Sequence, residues 1–310
     1  MMYLPKASII VPAYNAETTL VECINSLLAL DYPAEHVELI FINNASTDGT
    51  ADILNQYSSA IRILSEKKRG AAAARNKGLL HAKGEIVAFT DADCVVESDW
   101  LRKIAPPLHD SSIGVVGGRI LAKRPCNKTE EFGETVHDHD RAINEFTPPY
   151  AITMNWSSRL SVLKRVGMFD ERLRRAQDVD LSWRILQIGY KLMFEPQAIV
   201  YHRNESNILA LFREGYVHGY HSPRIHEKHK AFLRRFGVHK LKVKSPIDVL
   251  SNTIVCPQRN NTTYCICYFI FESGRSIGTF IGSIRCPCIQ PVEPKIKKMF
   301  FNQDHTEKRS

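Results

Sequence analysis

The stretch Ile86-Val-Ala-Phe-Thr-Asp-Ala-Asp93 joins a short apolar run to two carboxylates, and it decides how the surrounding chain is interpreted. The apolar run, residues 86–89, predicts a buried strand that delivers Asp91 and Asp93 to one edge of a sheet. Two unpaired anions at such an edge repel each other, and a divalent cation with bound phosphate removes that repulsion. A D-x-D sequence alone is more often a solvated turn, so the neighbouring segments must decide its meaning.

Strands and helices alternate ahead of this stretch. The sequence predicts strands at 7–12, 37–42, 61–64 and 85–90, separated by helices at 17–30, 50–57 and 71–81. This alternation predicts an α/β fold whose mostly parallel sheet is flanked by helices on both faces. Ligands of such sheets bind beyond the carboxyl ends of the strands. Further along we expect a polar loop over 121–149, a helix over 178–188, and short strands at 192–194 and 199–201.

Composition describes a globular chain with a large first domain. The 310 residues are 44% hydrophobic and 24% charged, which excludes a disordered tail or a disulfide-stapled miniprotein. We expect a catalytic domain over 1–205, a basic helical segment over 206–250 and an amphipathic, glycine-spaced helix with a tail over 251–310. Residues 7–13 are too short an apolar run for a secretory leader, so a cytoplasmic chain is expected and its eight cysteines need not pair.

Positive charge is concentrated in the C-terminal third. The net charge of +8 divides into −2 for residues 1–202, +7 for 203–244 and +3 for 245–310. This distribution argues against a nucleic-acid partner for the first two thirds. The basic segment is interpreted in two ways that stay open: a solvated helix pair, or attachment to an anionic membrane surface on the inner face of the plasma membrane.

Polar residues follow the other predicted strands. The first strand ends in Val11-Pro-Ala-Tyr-Asn15 instead of a glycine-rich dinucleotide turn, and no P-loop sequence occurs. Asp48 lies in the turn after the second strand, where it either caps a helix or binds a ligand. Arg75 lies on the helix before the D-x-D strand, where it is either a surface charge or a partner for a diphosphate.

Taken together, these pieces resemble the family-2 glycosyltransferases of the GT-A fold from about Ala7 to His202. The resemblance also rests on the segments 44–50, 70–78, 166–170 and 177–181. It implies that an inverting, metal-dependent enzyme moves a sugar from a nucleotide-sugar donor, with a slight preference for a UDP-sugar, to a saccharide or lipid-linked acceptor. It implies a nucleotide-sugar pocket lined by Pro12, Tyr14, Asn15, Asn43, Asn44, Asp48, Arg75 and Asp91, and a Mg²⁺ or Mn²⁺ ion on Asp91, Asp93 and His202.

The catalytic base implied by the resemblance is Asp178. A helix N-terminus would lower the pKa of this carboxyl, so a base role requires burial to raise it, and simple capping is the competing interpretation. The chain also departs from the family pattern. Asn43 and Asn44 replace an acidic pair, and Gln177, on the acceptor side, replaces a glutamate. These departures make a noncatalytic nucleotide-sugar-binding or assembly subunit the alternative function.

The C-terminal third carries an apolar helical stripe over 264–284, interrupted by Glu272 and Arg275, so a membrane-spanning helix is not expected. Gly274, Gly278 and Gly282 recur at four-residue steps, which predicts close packing either on the protein itself or at a bilayer interface. The cluster His137-Asp-His-Asp140 is interpreted as solvated loop, with a place in the acceptor cleft as the alternative.

Overall fold

The architecture is an eight-stranded mixed sheet covered by helices. The computed structural model describes residues 4–241, 243–254 and 261–285. The strands run in the order β3-β2-β1-β4-β7-β6-β8-β5. They are β1 Ala7–Ala13, β2 Val37–Asn43, β3 Arg62–Ser65, β4 Ile86–Phe89, β5 Cys94–Val96, β6 Ile113–Ala122, β7 Trp156–Arg159 and β8 Lys191–His202.

The first four strands are parallel, as the alternating pattern predicts, and β7 pairs antiparallel with both β4 and β6. Pro12 lies beyond the end of the β1–β4 pairing at Ile10 and Phe89, so the missing proline N–H costs no bond to β4. The carboxyl ends of β1, β2 and β4 therefore lie side by side at one edge.

Helices cover both faces. They are α1 Leu20–Leu28, α2 Thr50–Gln56, α3 Ala71–His81, α4 Trp100–Ile104, α5 Lys128–Val136, α6 His139–Asn144, α7 Leu160–Arg165, α8 Gln177–Gln187, α9 Ile208–Lys228, α10 Lys230–Arg235, α11 Pro246–Ile254 and α12 Thr262–Arg285. Side chains of α1, α2 and α4 pack on one face of the sheet, and side chains of α3, α7 and α8 pack on the other. The two cores are separated by the alternation of side chains along each strand.

Two expectations were wrong. The polar loop predicted over 121–149 contains α5 and α6, because Asn127 accepts hydrogen bonds from the amides of Thr129 and Glu130, and Asp138 accepts one from Arg141. The two short strands predicted near 192 and 199 are one strand, β8, whose pairing with β6 shifts register between Gly118 and Arg119. That irregularity interrupts the apolar pattern and explains why the sequence reads as two strands.

The C-terminal hairpin, defined here as α9 and α12, is held by backbone contact. A Cβ added to Gly215 or Gly219 of α9 would collide with carbonyl oxygens of α12, and one added to Gly274, Gly278 or Gly282 would collide with carbonyls of α9. The glycine series therefore packs on the protein itself, which settles one of the two alternatives. Within the described ranges, no helix is both long and apolar enough to cross a membrane.

Candidate active site

Three loops after the parallel strands, here called the strand-end loops (residues 13–17, 43–50 and 66–70), are tied together by side-chain hydrogen bonds. Asp48 accepts from the amide and hydroxyl of Thr50 at 3.1 and 2.6 Å and from the amide of Glu17 at 3.1 Å. Asn15, at φ 48°, accepts from the amide of Thr47 at 2.8 Å. Burial opposes ionisation of Asp48, but these hydrogen bonds outweigh it and lower its pKa.

The two asparagines at the end of β2, Asn43 and Asn44, make different contacts. Asn44 is buried, and its amide donates to the carbonyls of Glu66 and Lys68 at 3.1 and 2.8 Å and accepts from the amide of Gly70 at 2.8 Å. Asn44 therefore holds the third loop against β2. Asn43 is half-buried and accepts from the amide of Ser46 at 3.1 Å.

Tyr14 supplies an aromatic surface at the same edge. Its side chain is 48% exposed, and the guanidinium of Arg69 lies 5.1 Å from its ring centre. An exposed ring with a cation above it is suited to stack on a planar group such as a nucleobase. The prediction that Tyr14 lines a nucleotide pocket stays a prediction.

Arg75 connects the D-x-D segment with the start of α8. The guanidinium is buried, with one nitrogen 2.6 Å from Asp91 and another 3.4 Å from the side-chain oxygen of Gln177. The amide of Gln177 in turn donates to the carbonyl of Leu173 at 2.9 Å. Arg75 is thus neither a surface charge nor a free cation. Its Nε has no partner among the described residues.

Asp178 lies in the first turn of α8, half-buried, and does not cap the helix. The capping position is held by Ala176 at φ 56°, while Asp178 accepts from the amide of Val179 at 2.9 Å. Burial raises the pKa of Asp178, and the Val179 hydrogen bond and the Arg75 charge offset only part of that rise. The protein itself therefore supplies the environment that a carboxylate base requires.

Asp93 and His202 face each other across the β5–β8 pairing. His202 Nε2 lies 3.5 Å from an Asp93 oxygen, and His202 Nδ1 donates to Asn204 at 2.7 Å. Burial disfavours both charges, yet each partner stabilises the other: the pKa of Asp93 is lowered and that of His202 is raised to about 9. Asn204 fixes the histidine tautomer, an arrangement common behind metal-bound imidazoles.

The predicted metal ligands Asp91, Asp93 and His202 form only part of a cation site. Within the described residues no group of three histidine, cysteine or acidic side chains is arranged to hold a metal. Asp93 and His202 provide two ligands, and Asp91 is engaged by Arg75. Mg²⁺ and Mn²⁺ sites of this kind are commonly completed by substrate phosphates and water, so the two residues suit an ion that arrives with a diphosphate.

A buried ion network, here called the α8 network, was not anticipated from the sequence. Fully buried Asp180 contacts Arg184 at 2.8 Å, Lys228 at 2.5 Å and His229 at 2.7 Å, and Lys228 also contacts Asp170 at 2.7 Å. The network fixes the first turn of α8, which carries Asp178, to the end of α9. The sequence feature that could have pointed to this network is a second Asp-x-Asp motif, Asp178-Val-Asp180.

The two histidines of the His137–Asp140 cluster are not solvated loop, although Asp138 and Asp140 are exposed. His139 is buried, bonds the Gly118 carbonyl at 2.8 Å and accepts from the amide of Ile152 at 2.8 Å, and burial lowers its pKa to about 3. His137 packs edge-to-face on His202 with ring centres 5.0 Å apart, and its Nε2 lies 3.3 Å from Glu214 of α9. The predicted loop thus braces the Asp93–His202 pair.

The fold, with a D-x-D segment after β4 and a carboxylate at the start of α8, is that of a GT-A-type transferase. The model of Glycosyl transferase family 2 matches residues 8–166. That match covers half of the sequence, and the chain belongs to this family of glycosyltransferases.

Curated relatives agree with this class. The chain is 29% identical to the glycosyltransferase AglE of Haloferax volcanii over 204 residues, covering 64% of this chain and 67% of AglE. It is 41% identical to the putative teichuronic acid biosynthesis glycosyltransferase TuaG of Bacillus subtilis over 103 residues, 32% of this chain and 40% of TuaG. Against the probable glycosyltransferase YdaM of B. subtilis, the alignment spans only 51% of the relative's length.

Solved structures share the fold. A mannosyltransferase from Pyrobaculum calidifontis, in complex with GDP-Man and Mn²⁺, aligns with a TM-score of 0.61 at 21% identity over 89% of this chain and 88% of that one. TarS 1-349 of S. aureus in complex with UDP-GlcNAc aligns with a TM-score of 0.51 at 18% identity over 89% and 91%.

Proposed function

We propose that the chain transfers a sugar from a nucleotide-sugar donor to a hydroxyl acceptor with inversion of the anomeric carbon, and that Asp178 is the base. The observation that supports this proposal is the link from Asp91 through Arg75 to Gln177, the residue directly before Asp178. The charges of Arg75 and Asp91 both act on Asp178, so the two carboxylates lie within electrostatic reach.

In this mechanism Asp178 accepts the proton of the acceptor hydroxyl as that oxygen attacks the anomeric carbon. A raised pKa makes the carboxylate a stronger base than an exposed aspartate, which favours proton transfer. Because one displacement replaces the nucleoside diphosphate, the anomeric configuration inverts. Arg75 contacts both Asp91 and Gln177, the residue directly before Asp178, and anchoring of this kind orients the two reactants.

Asp93 and His202 would hold a divalent cation, with the donor diphosphate completing its ligands. The cation would neutralise charge on the departing diphosphate. On the nucleotide side, the strand-end loops present Tyr14, Asn15 and Asn43 around the ends of β1 and β2. The P. calidifontis structure contains GDP-Man and the TarS structure contains UDP-GlcNAc. These ligands support a nucleotide-sugar donor but do not select between guanine and uracil as its nucleobase.

The decisive experiment uses full-length protein. Nucleotide sugars are screened with Mn²⁺ for thermal stabilisation, and the stabilising donor is then assayed for transfer and for slow hydrolysis. Asp178→Asn should lower kcat by about 10²- to 10⁴-fold with nucleotide binding kept, while Asp52→Asn, an exposed carboxyl on α2, should retain wild-type turnover. Donor binding without any turnover in wild-type protein would instead establish the noncatalytic alternative.

We further propose that α12 attaches the enzyme to an anionic membrane surface. Its face opposite the glycines exposes a row of large apolar side chains, from 40% for Phe269 to 70% for Ile284; the row is Ile266, Phe269, Ile277, Phe280 and Ile284. Arg234 and Arg235, the last two residues of α10, are exposed and supply positive charge. Apolar insertion combined with basic residues is the pattern of interfacial helices, and charge complementarity selects anionic lipid.

Sedimentation with vesicles tests this attachment. Full-length protein should sediment with phosphatidylglycerol vesicles at low salt and much less with phosphatidylcholine vesicles. Phe280→Ser should reduce sedimentation, whereas Leu80→Ser, which removes an equally exposed apolar side chain from α3, should not. Equal sedimentation of wild-type protein and Phe280→Ser would show that α12 does not attach the protein to the membrane.

A further inference from the structure

His202, one of the two proposed cation ligands, has a close neighbour on three sides. Its Nε2 lies 3.5 Å from Asp93, its Nδ1 donates to the side-chain oxygen of Asn204 at 2.7 Å, and the ring of His137 packs edge-to-face on it with ring centres 5.0 Å apart. Asp93 belongs to the D-x-D segment, whereas Asn204 and His137 are held by other elements. The orientation of the imidazole therefore depends on what fixes these two neighbours.

Asn204 is fixed by α5. Its side-chain amide donates to the backbone carbonyl of Glu130 at 2.8 Å, and the residue is buried. A Cβ added to Gly133 would lie 2.2 Å from the Asn204 side chain, so the missing side chain of Gly133 leaves the room that Asn204 occupies. Because the amide nitrogen is bound to α5, the oxygen faces His202 and accepts from Nδ1, which leaves the lone pair of Nε2 for a cation.

His137, at the C-terminal end of α5, is fixed by α9. Its side chain is 12% exposed, and Nδ1 is buried without a partner among the described residues. The other ring nitrogen, Nε2, lies 3.3 Å from a carboxylate oxygen of Glu214. Within the described ranges this is the only polar contact of the His137 ring, so Glu214 determines how that ring is placed against His202.

Glu214 connects this contact to the C-terminal hairpin. Its carboxyl is largely buried, and the next charged partner, His218, is 4.0 Å away and one turn further along α9. The hairpin also holds α5 by apolar packing, since Phe132 of α5 shares a cluster with Leu211 of α9 and Phe271 of α12. Both helices of the hairpin lie outside residues 8–166, the part of the chain that matches the family model. A continuous set of contacts thus runs from the hairpin through α5 to His202.

We infer that Glu214 is a positioning residue of the proposed cation site and acts through His137 on the ring of His202. Outer partners that orient a ligating histidine typically contribute about 10- to 100-fold to metal affinity or activity. Asn204 acts on the same imidazole through its tautomer. The inference rests on the proposed function and adds that the C-terminal hairpin, outside the family match, takes part in cation binding.

The test measures Mn²⁺ binding directly. Full-length protein is titrated with Mn²⁺ in the presence of GDP or UDP, and free Mn²⁺ is followed by electron paramagnetic resonance. Glu214→Gln keeps the side-chain volume and removes the charge, so the Kd for Mn²⁺ should rise about tenfold. In the transfer assay the Mn²⁺ concentration for half-maximal activity should rise by the same factor, with kcat at saturating Mn²⁺ kept. Glu205→Gln, which changes an exposed carboxyl three residues after His202, is the matched control and should keep the wild-type Kd.

A double-mutant cycle tests the route through His137. His137→Phe keeps a ring against His202 and removes the contact with Glu214, so it should raise the Kd by a similar factor. In that background Glu214→Gln should change the Kd by less than about twofold. Fully additive effects of the two substitutions would overturn the route. Gly133→Ala, whose Cβ displaces Asn204, should weaken Mn²⁺ binding independently.

Unfolding free energies separate positioning from packing. If Glu214→Gln is less stable than wild-type protein but binds Mn²⁺ equally well, Glu214 is a packing residue and the inference is overturned, while the cation site stays in place. If Glu214→Gln does not fold, His137→Phe replaces it, and an unchanged Kd in that variant overturns the inference. Wild-type protein that binds no Mn²⁺ with either diphosphate would overturn the proposed Asp93–His202 site as well.

Discussion

The strand-end loops and the α8 network are held together by different physical means. The loops are joined by hydrogen bonds that backbone amides donate to short side chains, as Asn15, Asn44 and Asp48 show. The network joins buried charges from segments far apart in sequence, with Asp180 and His229 separated by 49 residues. Loss of one neutral bond in the loops leaves neighbours in place, whereas loss of one charge in the network leaves others buried without a partner.

The largest effect is expected at the centre of the network. Asp180→Ala leaves Arg184, Lys228 and His229 around an empty position, and breaking a buried pair of this kind costs about 3–5 kcal/mol. Urea unfolding measures the change in the free energy of unfolding. Asp99→Ala removes a partly exposed pair with Lys103 and should cost less than about 1 kcal/mol. Equal costs for the two variants would contradict the proposed difference between buried and exposed charge.

Acid should weaken the network in a defined window. Burial alone would raise the pKa of Asp180, but His229, Arg184 and Lys228 outweigh it and lower the pKa to about 2. The ionised form is therefore favoured by folding. Its stabilisation is complete above the ordinary aspartate pKa of about 3.9 and is lost as pH falls toward 2, an effect of about 2–3 kcal/mol.

Unfolding free energies measured from pH 5 to pH 2 check this window. Asp180→Asn keeps the side-chain volume and removes the titration, so its stability should depend less steeply on pH below 4 than that of the wild type. Asp52→Asn, on the exposed face of α2, should keep the wild-type slope. Parallel curves for wild-type protein and Asp180→Asn would show that the network does not govern acid sensitivity.

The two regions also differ in what the sequence could reveal. Asp91, Asp93 and Asp178 stand within short motifs beside predictable strands and helices, so the fold and the placement of these residues followed from local patterns. The contacts of Arg75 with Asp91 and Gln177 did not, because they depend on how α3 and α8 pack. The same limit applies to His229 and Glu214, whose partners come from distant segments and leave no spacing to detect.

Gly219 of the C-terminal hairpin and Gly49 of the strand-end loops should respond differently when a single methyl group is added. In Gly219→Ala the new Cβ meets the backbone carbonyl of Arg275, which cannot rotate away, so the C-terminal hairpin must separate at a cost of about 1–3 kcal/mol. In Gly49→Ala the new Cβ meets the carboxyl end of Glu17 at 2.8 Å, a flexible side chain that can move. Thermal unfolding should show a clear loss for Gly219→Ala and a change within about 0.5 kcal/mol for Gly49→Ala.

The smallest effect is expected in the strand-end loops. Asn44→Ala removes three hydrogen bonds to backbone groups of Glu66, Lys68 and Gly70, which should cost about 1–2 kcal/mol because water can reach part of the freed loop. The released loop also carries Arg69, which lies over Tyr14, so KM for the nucleotide sugar should rise severalfold while kcat changes little. Asn55→Ala, exposed on α2, controls for the loss of an amide. If Asn44→Ala lowers kcat with KM unchanged, Asn44 acts on the reaction itself. That outcome would contradict the structural role assigned to Asn44 in the strand-end loops.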